Sequence, residues 1–432
     1  MRWVTGVLAL SLAVPAAAQQ APAPQHLEVT LTEAIQRALL VQPLMVSARG
    51  EQRNQGAALR SARGAFLPTI TTSAGASRGS KPRPDPNVAN ATLPPIYSYS
   101  GSLNARLDLF AGFRRVANLR AASATLDAAQ AGVVNQRFLT TVGTKQAFYD
   151  ALATEELVRV AESQVRRAQQ QLQISVDKLH AGSATRSDSL RSTVDYGRAR
   201  IELLQAQANL STAQATLGSQ IGVDQPVRAI PDSVIPALPD TAALRASALD
   251  RAPRVDQADA QARAARAQVW TDRAAYWPSL NVSYSNTRTD TLFPTLPLFD
   301  NLKESFTWSF GLSWTLFNGF AREQQQVQSS VRRDVAEATA ADTRRQVNAE
   351  LTQQLAALAT TYQQIDIARA NVAAATEDLR VQNERYRVGA ATILDLLTSQ
   401  AALTTAEKDL VQARFDYLIA RAQLEALVGH EL

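Results

Sequence analysis

The sequence of 432 residues contains no cysteine and only three histidines. Without cysteine the chain has no disulfide bridges, no thiolate metal ligands and no lipidated N-terminal cysteine. The histidines, His26, His180 and His430, are scattered along the chain, which predicts no histidine metal cluster. We therefore expect a protein that holds no metal and no other cofactor.

Long apolar runs are also missing beyond the first residues. No later stretch approaches the roughly 18 apolar residues of a membrane-spanning helix, which excludes a helical membrane protein. Residues 1–18 contain Arg2, an apolar run from Trp3 to Val14 and three alanines before Gln19. This pattern predicts a secretory signal peptide, because its apolar core is too short to span a bilayer.

Charge is nearly balanced, with 44 lysines and arginines against 39 aspartates and glutamates and a net charge of +5. The basic residues alternate with glutamine, alanine and glutamate along the chain. Such alternation indicates solvated helix faces rather than a basic patch for nucleic acid. We therefore expect no nucleic-acid partner.

Proline and glycine are nearly absent from two long stretches. Residues 113–181 contain no proline and two glycines, and residues 320–388 contain neither. Their alanine, glutamine, leucine and arginine content predicts single helices of about 100 Å. Each is expected to end at a glycine, Gly182 or Gly389, where the chain can turn through a left-handed conformation. The other predicted helices span residues 32–42, 44–65, 184–221, 241–252, 254–276 and 391–428.

The two glycines belong to a repeat with a fixed offset of 207 residues. Thr185 and Asp188 follow the first glycine at the same spacing as Thr392 and Asp395 follow the second. The 414 residues after the predicted signal peptide are twice 207. A register held over helices, turns and strands predicts two structural copies, which we place at residues 19–238 and 239–432.

Four segments alternate with a period of two, which predicts β-strands. Residues 96–110 alternate aromatic and aliphatic side chains with serine and asparagine, and residues 305–317 repeat this pattern. We expect residues 66–80 and 278–290 to pair with them as hairpins, through proline-bearing loops over residues 81–95 and 291–304. We expect no further strands.

Strands with one apolar and one polar face fit either a soluble sandwich or a membrane barrel whose apolar face contacts lipid. Four strands are too few for a sandwich, and their length suits a tilted membrane span. Aromatic residues also lie near the strand ends, as in interfacial belts. Open strand edges are not tolerated in hydrocarbon, so several copies must close the barrel. The aromatic residues near the strand ends are Phe66, Tyr97, Phe110, Tyr276, Trp277, Phe317 and Phe320.

In their order, spacing and duplication, these elements resemble the TolC-like outer-membrane efflux protein family. The resemblance covers essentially the whole mature chain. The segments that carry it are Leu31–Ala34, Pro43, Phe66–Pro68, Tyr276–Leu280, Leu316–Gly319, Arg385–Gly389 and Thr392–Asp395.

The resemblance implies a mainly α protein with β-strands, internally duplicated and assembled as a homotrimer. Four strands per chain would form a 12-stranded transmembrane β-barrel, continuous with a hollow periplasmic α-barrel of long coiled-coil helices. It implies a passive exit duct in the outer membrane for a tripartite efflux or type I secretion system. The implied partners are a periplasmic adaptor, an inner-membrane transporter and outer membrane lipid. No hydrolytic site or phosphate-cradling loop is predicted, so we expect no enzyme.

The resemblance also places the periplasmic entrance at the two glycine turns. It implies that Asp188, Tyr386 and Asp395 take part in the gate. Typical members of the family carry a second acid in the return helix and an arginine that locks against a neighbour. Here the position of the second acid holds Thr398, its equivalent in the first copy holds Arg191, and the position of the arginine holds Ala391. The turn residues implied to contact the adaptor are Gly182, Ser183, Val388, Gly389 and Ala390.

Two features of this entrance remain open at the level of sequence. Asp188 and Asp395 can act in a gate, or can simply favour the helix dipole at the start of the return helices. Four arginines near only two acids predict an entrance that is less cation-selective than an acidic one.

A periplasmic coiled-coil adaptor or scaffold is the alternative function, although it leaves the strands unexplained, and a diffusion porin leaves the long helices unexplained.

Overall fold

The computed structural model describes residues 27–79, 83–84, 92–93, 97–231, 235–241, 244–245, 251–290 and 303–432. The predicted signal peptide, His26, most of the predicted helix 241–252 and most of both strand-connecting loops lie outside these residues.

The helices follow the predicted duplicated order. Two of them, α3 and α6, contain 67 residues each and are therefore about 100 Å long. Each packs against the return helix that follows it, and α3 also packs against α2, α5 and α7. No helix in the described ranges carries an apolar stretch long enough to cross a membrane. The bounds are α1 (Leu31–Val41), α2 (Pro43–Gly64), α3 (Arg114–His180), α4 (Arg186–Ile221), α5 (Pro253–Arg273), α6 (Ala321–Arg387) and α7 (Ile393–Val428).

The four predicted long strands form one antiparallel sheet in the order β2-β5-β7-β8. The pairing of β5 with β7 joins the two copies, which the repeat did not predict. β8 ends at Ser313, four residues before the end of the predicted segment 305–317, because β7 begins at Ser279, opposite Ser313, and offers no partner beyond it. The bounds are β2 (Thr69–Arg78), β5 (Tyr97–Ala111), β7 (Ser279–Asp290) and β8 (Lys303–Ser313).

The expectation of no further strands was wrong. Two short strands, β1 (Leu27–Val29) and β6 (Val227–Ala229), pair in parallel, and a small bridge joins β3 (Arg83–Pro84) to β4 (Thr92–Leu93). Three residues are too few to show a periodic pattern, which is why the sequence did not reveal β1 and β6. Val29 and Val227 are fully buried against α3 and α4, together with Phe148.

The sheet keeps one apolar and one polar face, with one correction to the predicted alternation. A bulge between Asp108 and Phe110 removes Leu109 from the register. Phe110 then pairs with Leu280, which pairs with Leu312, so Phe110 takes the place on the apolar face that the alternation assigned to Leu109. The inserted residue leaves no mark on the alternation, because both leucine and phenylalanine continue an apolar pattern.

Two equivalent junctions join the sheet to the long helices. Arg115 stacks 5.0 Å from the Phe66 ring and donates a 2.8 Å hydrogen bond to the Leu109 carbonyl. Its counterpart Arg322 stacks 4.8 Å from the Tyr276 ring and donates to the Thr315 carbonyl at 2.8 Å. Each arginine therefore ties the first turn of a long helix to the end of the preceding strand, where the strand carbonyls lack a sheet partner.

Gly112 and Gly319 precede the two long helices and differ in how closely they are packed. Both have left-handed φ, +59° and +65°, so alanine at either position costs about 1 kcal/mol in backbone strain. A β-carbon at position 112 would lie 2.6 Å from the Ala274 oxygen, whereas position 319 is open. We expect Gly112→Ala to lower the unfolding free energy by about 1–3 kcal/mol more than Gly319→Ala.

Thermal denaturation of the two purified variants against the parent protein measures this difference. Gly319→Ala is the matched control, because it introduces the same backbone strain without the steric clash. Equal shifts in melting temperature for the two variants would contradict the close packing at Gly112.

Candidate functional site

The candidate site is the pair of helical turns at the far end of the long helices from the sheet. Gly182 and Gly389 adopt left-handed φ values of 71° and 80° and end α3 and α6 as predicted. Beyond each glycine a backbone amide closes the turn. The Ser183 amide donates to the Lys178 carbonyl at 2.9 Å, and the Ala390 amide donates to the Arg385 carbonyl at 2.7 Å. The two turns are thus built alike, as the repeat predicts.

Both predicted acids take part in capping boxes. The Thr185 amide donates to the Asp188 carboxylate at 3.0 Å, and the Asp188 amide donates to the Thr185 hydroxyl at 3.2 Å. Thr392 and Asp395 repeat this arrangement at 2.9 Å and 3.3 Å. In the described part of the chain neither acid forms an ion pair within 4 Å. Each carboxylate therefore fixes the start of a return helix.

The pKa of Asp395 lies below its ordinary value, first because of the backbone hydrogen bond from Thr392 and then because of the Thr392 hydroxyl. A carboxylate with a lowered folded-state pKa contributes stability above its unfolded-state pKa, and this contribution is lost as the pH falls through the folded-state value. We expect Asp395→Ala at pH 7 to raise amide hydrogen exchange several-fold at the start of α7. The difference from the parent protein should vanish in acid.

Asp188→Ala is the matched control for this prediction, because it removes the equivalent cap from α4 and should leave α7 unchanged. Hydrogen exchange followed by mass spectrometry resolves the two turns. If Asp395→Ala left exchange in α7 unchanged, the carboxylate would not be the cap that the geometry indicates.

Lys178 joins the two turns within one subunit. Its ammonium lies 4.1 Å from the centre of the Tyr386 ring and donates hydrogen bonds to the Tyr386 and Arg387 carbonyls at the end of α6. It therefore neutralises the negative end of the α6 dipole from the neighbouring hairpin. Among the described residues, the equivalent residue in the second copy, Arg385, donates to the Ala390 carbonyl of its own turn, at 3.3 Å, and makes no hydrogen bond to the first hairpin. The 207-residue offset relates Lys178 to Arg385, but it does not reveal the contact that Lys178 makes with α6.

Tyr386 is 7% exposed and packs in an apolar cluster with Leu379, Ile393 and Leu396. Its hydroxyl is buried without a hydrogen-bond partner in the described chain. Further from the turns both hairpins have a polar core: Ser175 bonds to Ser192 at 2.8 Å in the first, and Ser399 donates to Asp378 at 2.5 Å in the second. At the turns themselves the positions equivalent to Ile393 and Leu396 hold Arg186 and Ser189, so the second hairpin has the more apolar tip.

The remaining predicted residues lie on the surface of the turns and are not brought together. Arg191 and Thr398 are exposed, and the Thr398 hydroxyl donates to the Leu394 carbonyl of its own helix at 2.8 Å. Ser183, Gly389 and Ala390 are exposed, and Val388 is 71% exposed. Among the described residues, no group of three metal-binding side chains occurs.

Further ion pairs hold the first hairpin to α7 above the turns. Arg167 donates to both Glu407 carboxylate oxygens, at 3.2 and 2.9 Å, and to Thr404. Further from the turns, Lys145 contacts Glu425, which also accepts a hydrogen bond from Arg421 at 3.2 Å. The positions offset by 207 residues carry no equivalent charges, so these contacts are not duplicated. Periodicity could not predict them, because they join different helices of the two copies.

Comparisons with known proteins agree with this duplicated architecture. A family model described as outer membrane efflux protein matches residues 34–223 and 244–430. The outer membrane efflux protein BepC of Brucella suis is 26% identical, over 93% of this chain and 86% of BepC. Protein CyaE of Bordetella pertussis is 28% identical, over 95% and 85% of the two chains.

Among solved structures, the outer membrane protein VceC of Vibrio cholerae superimposes with a TM-score of 0.76 at 19% identity, covering 93% of this chain and 96% of VceC. At that level of identity the likeness shows the fold. Each of the two segments that the family model matches contains one complete helical hairpin and its glycine turn.

Proposed function

This chain belongs to the outer membrane efflux protein family, and from that premise we propose how it works: three copies form a passive exit duct that is closed at the glycine turns. It is an outer membrane channel with a large periplasmic helical part. In this proposal an inner-membrane transporter supplies the energy and a periplasmic adaptor grips the exposed turns. The family consists of channel proteins rather than enzymes.

The observation that carries the proposal is the sheet with its exposed apolar face. Phe306, Trp308, Phe310 and Leu312 lie along β8 and are between 62% and 74% exposed. On the other face, polar side chains bond to one another across strands: Ser73 to Ser102 at 2.8 Å and Ser285 to Asn104 at 2.8 Å. An apolar face in lipid and a hydrated polar face satisfy both sets of side chains at once.

Assembly of several copies accounts for two other exposed features. β2 and β8 each have an unpaired edge in the described chain, and lipid does not tolerate such edges. Apolar side chains also form exposed stripes at helical spacing, with Val327, Val331 and Val335 on α6. A second exposed stripe, on the return helix α4, consists of Leu190, Val194, Ile201 and Leu204. Three copies would pair the edges into twelve strands and cover the stripes.

The turns are suited to act as the gate because they combine a rigid frame with a small number of breakable contacts. Capping boxes and glycine closures fix each turn internally, so opening must separate whole hairpins. Lys178 links the two turns of a subunit through its contact with the end of α6, and this link depends on one flexible side chain. We propose that this link holds the entrance closed and that adaptor contact on the exposed turn residues releases it.

Ion selectivity at this entrance should be weakly cationic at most. Arg186 and Arg191 lie near the two capping acids, Arg387 forms an ion pair with Glu384 at 2.9 Å, and the carboxylates of Asp188 and Asp395 are occupied by capping hydrogen bonds. We expect reversal potentials in a potassium chloride gradient to stay near zero and to change little in Asp395→Asn. Strong cation selectivity that Asp395→Ala abolishes would contradict this expectation.

Cell fractionation tests the proposed function. We expect the protein in the outer membrane fraction as an oligomer that migrates more slowly in electrophoresis before heating than after, since boiling dissociates it into unfolded monomers. A soluble periplasmic monomer would instead support the coiled-coil scaffold and overturn the duct.

A further inference from the structure

A groove of about 630 Å³ lies beside the first junction between sheet and helices. It runs between the start of α3 and the end of α5. Its apolar lining includes Phe113, Trp270 and Trp277, whose side chains are 56–62% exposed. Three cations, Arg120, Arg266 and Arg273, complete it, and none of the described residues that line it is a carboxylate.

The groove continues the apolar face of the sheet. Phe110 lies on that face, and its ring meets the Phe113 ring edge-on at 5.2 Å. The Phe113 ring in turn meets Trp277 edge-on at 5.8 Å. An unbroken series of aromatic rings therefore leads from the lipid-facing side chains of β5 into the groove. Aromatic rings at this level are typical of a membrane–water interface.

A separate polar groove indicates which side of the helices faces the lumen. Gln257, Gln261 and Ala264 of α5 line it together with residues of α2 and α3, including Gln136. With 3.6 residues per turn, Arg266, Trp270 and Arg273 fall on roughly the opposite side of α5. The aromatic groove thus lies on the outer surface, away from the polar side.

The three arginines differ in whether a carboxylate already pairs with them. Arg266 pairs with Glu337 at 2.5 Å, and the Arg273 guanidinium stacks 4.8 Å from the Trp270 ring. In the described chain Arg120 and Arg273 have no carboxylate partner. Two guanidinium groups without a carboxylate partner, in a groove lined by exposed indole rings, match a phosphate attached to an acyl chain, because arginine binds phosphate oxygens in a bidentate manner and the rings offer apolar contact.

We propose that this groove binds one anionic phospholipid of the periplasmic leaflet, with its phosphodiester on Arg120 and Arg273 and an acyl chain along Trp270 and Trp277. The inference rests on the proposed function, since it needs the sheet to lie in the outer membrane. A bound lipid would hold α5 and the start of α3 at a fixed depth in the bilayer.

Tryptophan quenching by brominated lipids tests this proposal. In a background with Trp308→Phe and Trp314→Phe, the tryptophans of the chain after the predicted signal peptide are Trp270 and Trp277. The trimer is reconstituted in phosphatidylcholine vesicles that contain equal fractions of either brominated phosphatidylglycerol or brominated phosphatidylcholine. We expect quenching by the anionic lipid to be stronger by roughly fivefold or more.

The double variant Arg120→Gln/Arg273→Gln should lose this preference, whereas Arg137→Gln should retain it. Arg137 is an exposed arginine on α3 about 26 Å further along the helix and is the matched control. Retention of a heat-stable trimer shows that each variant is folded. Equal quenching by the two lipids would mean apolar anchoring alone, and quenching by neither would mean that protein covers the groove. Either result overturns the proposal.

Channel conductance of the same vesicles separates this test from the proposed function. Conducting trimers with no lipid preference would refute the lipid site and leave the duct intact. Vesicles with folded protein but no conductance would refute the duct itself.

Discussion

Glu425→Gln is expected to lower the free energy of unfolding by about 3–5 kcal/mol, because it leaves two buried cations without their counter-ion. The Glu425 side chain is 10% exposed, and Lys145 and Arg421 are 12% and 16% exposed. Its carboxylate also accepts a 3.3 Å hydrogen bond from the Leu432 amide. Glutamine fills the same space but carries no charge, so the lysine and arginine would repel each other in a poorly hydrated site.

The more exposed pair of Arg167 and Glu407 provides the control for this experiment. Their side chains are 21% and 24% exposed, and we expect Glu407→Gln to cost at most about 1 kcal/mol. Adding Lys145→Met to Glu425→Gln should recover part of the loss, because one uncompensated cation is removed. Thermal denaturation of the trimer in detergent compares the four proteins. Equal stability of Glu425→Gln and Glu407→Gln would contradict the importance of the buried cluster.

Lys178→Met is expected to open the entrance. The lysine contributes a cation–π contact and charged hydrogen bonds to the end of α6, together on the order of 1–2 kcal/mol per subunit. A loss of that size shifts a closed–open equilibrium by roughly tenfold for each subunit that opens. Methionine keeps the length and apolar contact of the side chain, so the hairpins should remain folded. Single-channel recording in planar bilayers should show a higher mean conductance and longer open times than in the parent protein.

Arg385→Met is the matched control, since Arg385 occupies the equivalent position in the second copy but, in the part of the chain that the structure describes, donates its hydrogen bond within its own turn. We expect this variant to behave as the parent protein does. If the two variants raised conductance equally, loss of positive charge at the entrance would explain the effect. The proposed link would then have no part in closure.

Much of the fold could be predicted from the sequence because it depends on local signals repeated twice. The absence of proline and glycine over residues 113–181 and 320–388 predicts the long helices, and Gly182 and Gly389 mark their ends. Period-two alternation predicts the long strands. The bulge at Leu109 could not be predicted, because it depends on register with β7, a strand in the other copy.

The candidate site was predicted less completely. The turns could be located from their glycines, and the structure adds that Asp188 and Asp395 are capping residues, whatever further part they take in the gate. The Lys178 contact could not be predicted, since it joins residues of different hairpins that the repeat does not relate. The Glu425 cluster was missed for the same reason. Periodicity predicts how each copy folds, whereas contacts between unlike helices depend on how the copies pack together.

A passive duct across the outer membrane, closed at its turns, should conduct ions without any energy source or partner protein. Recording from the purified wild-type trimer in a planar bilayer tests this most directly, with no transporter, adaptor or nucleotide present. We predict discrete conductance steps of a single size, mostly small because the entrance is closed. Folded, inserted trimers that give no steps at any voltage would contradict the account.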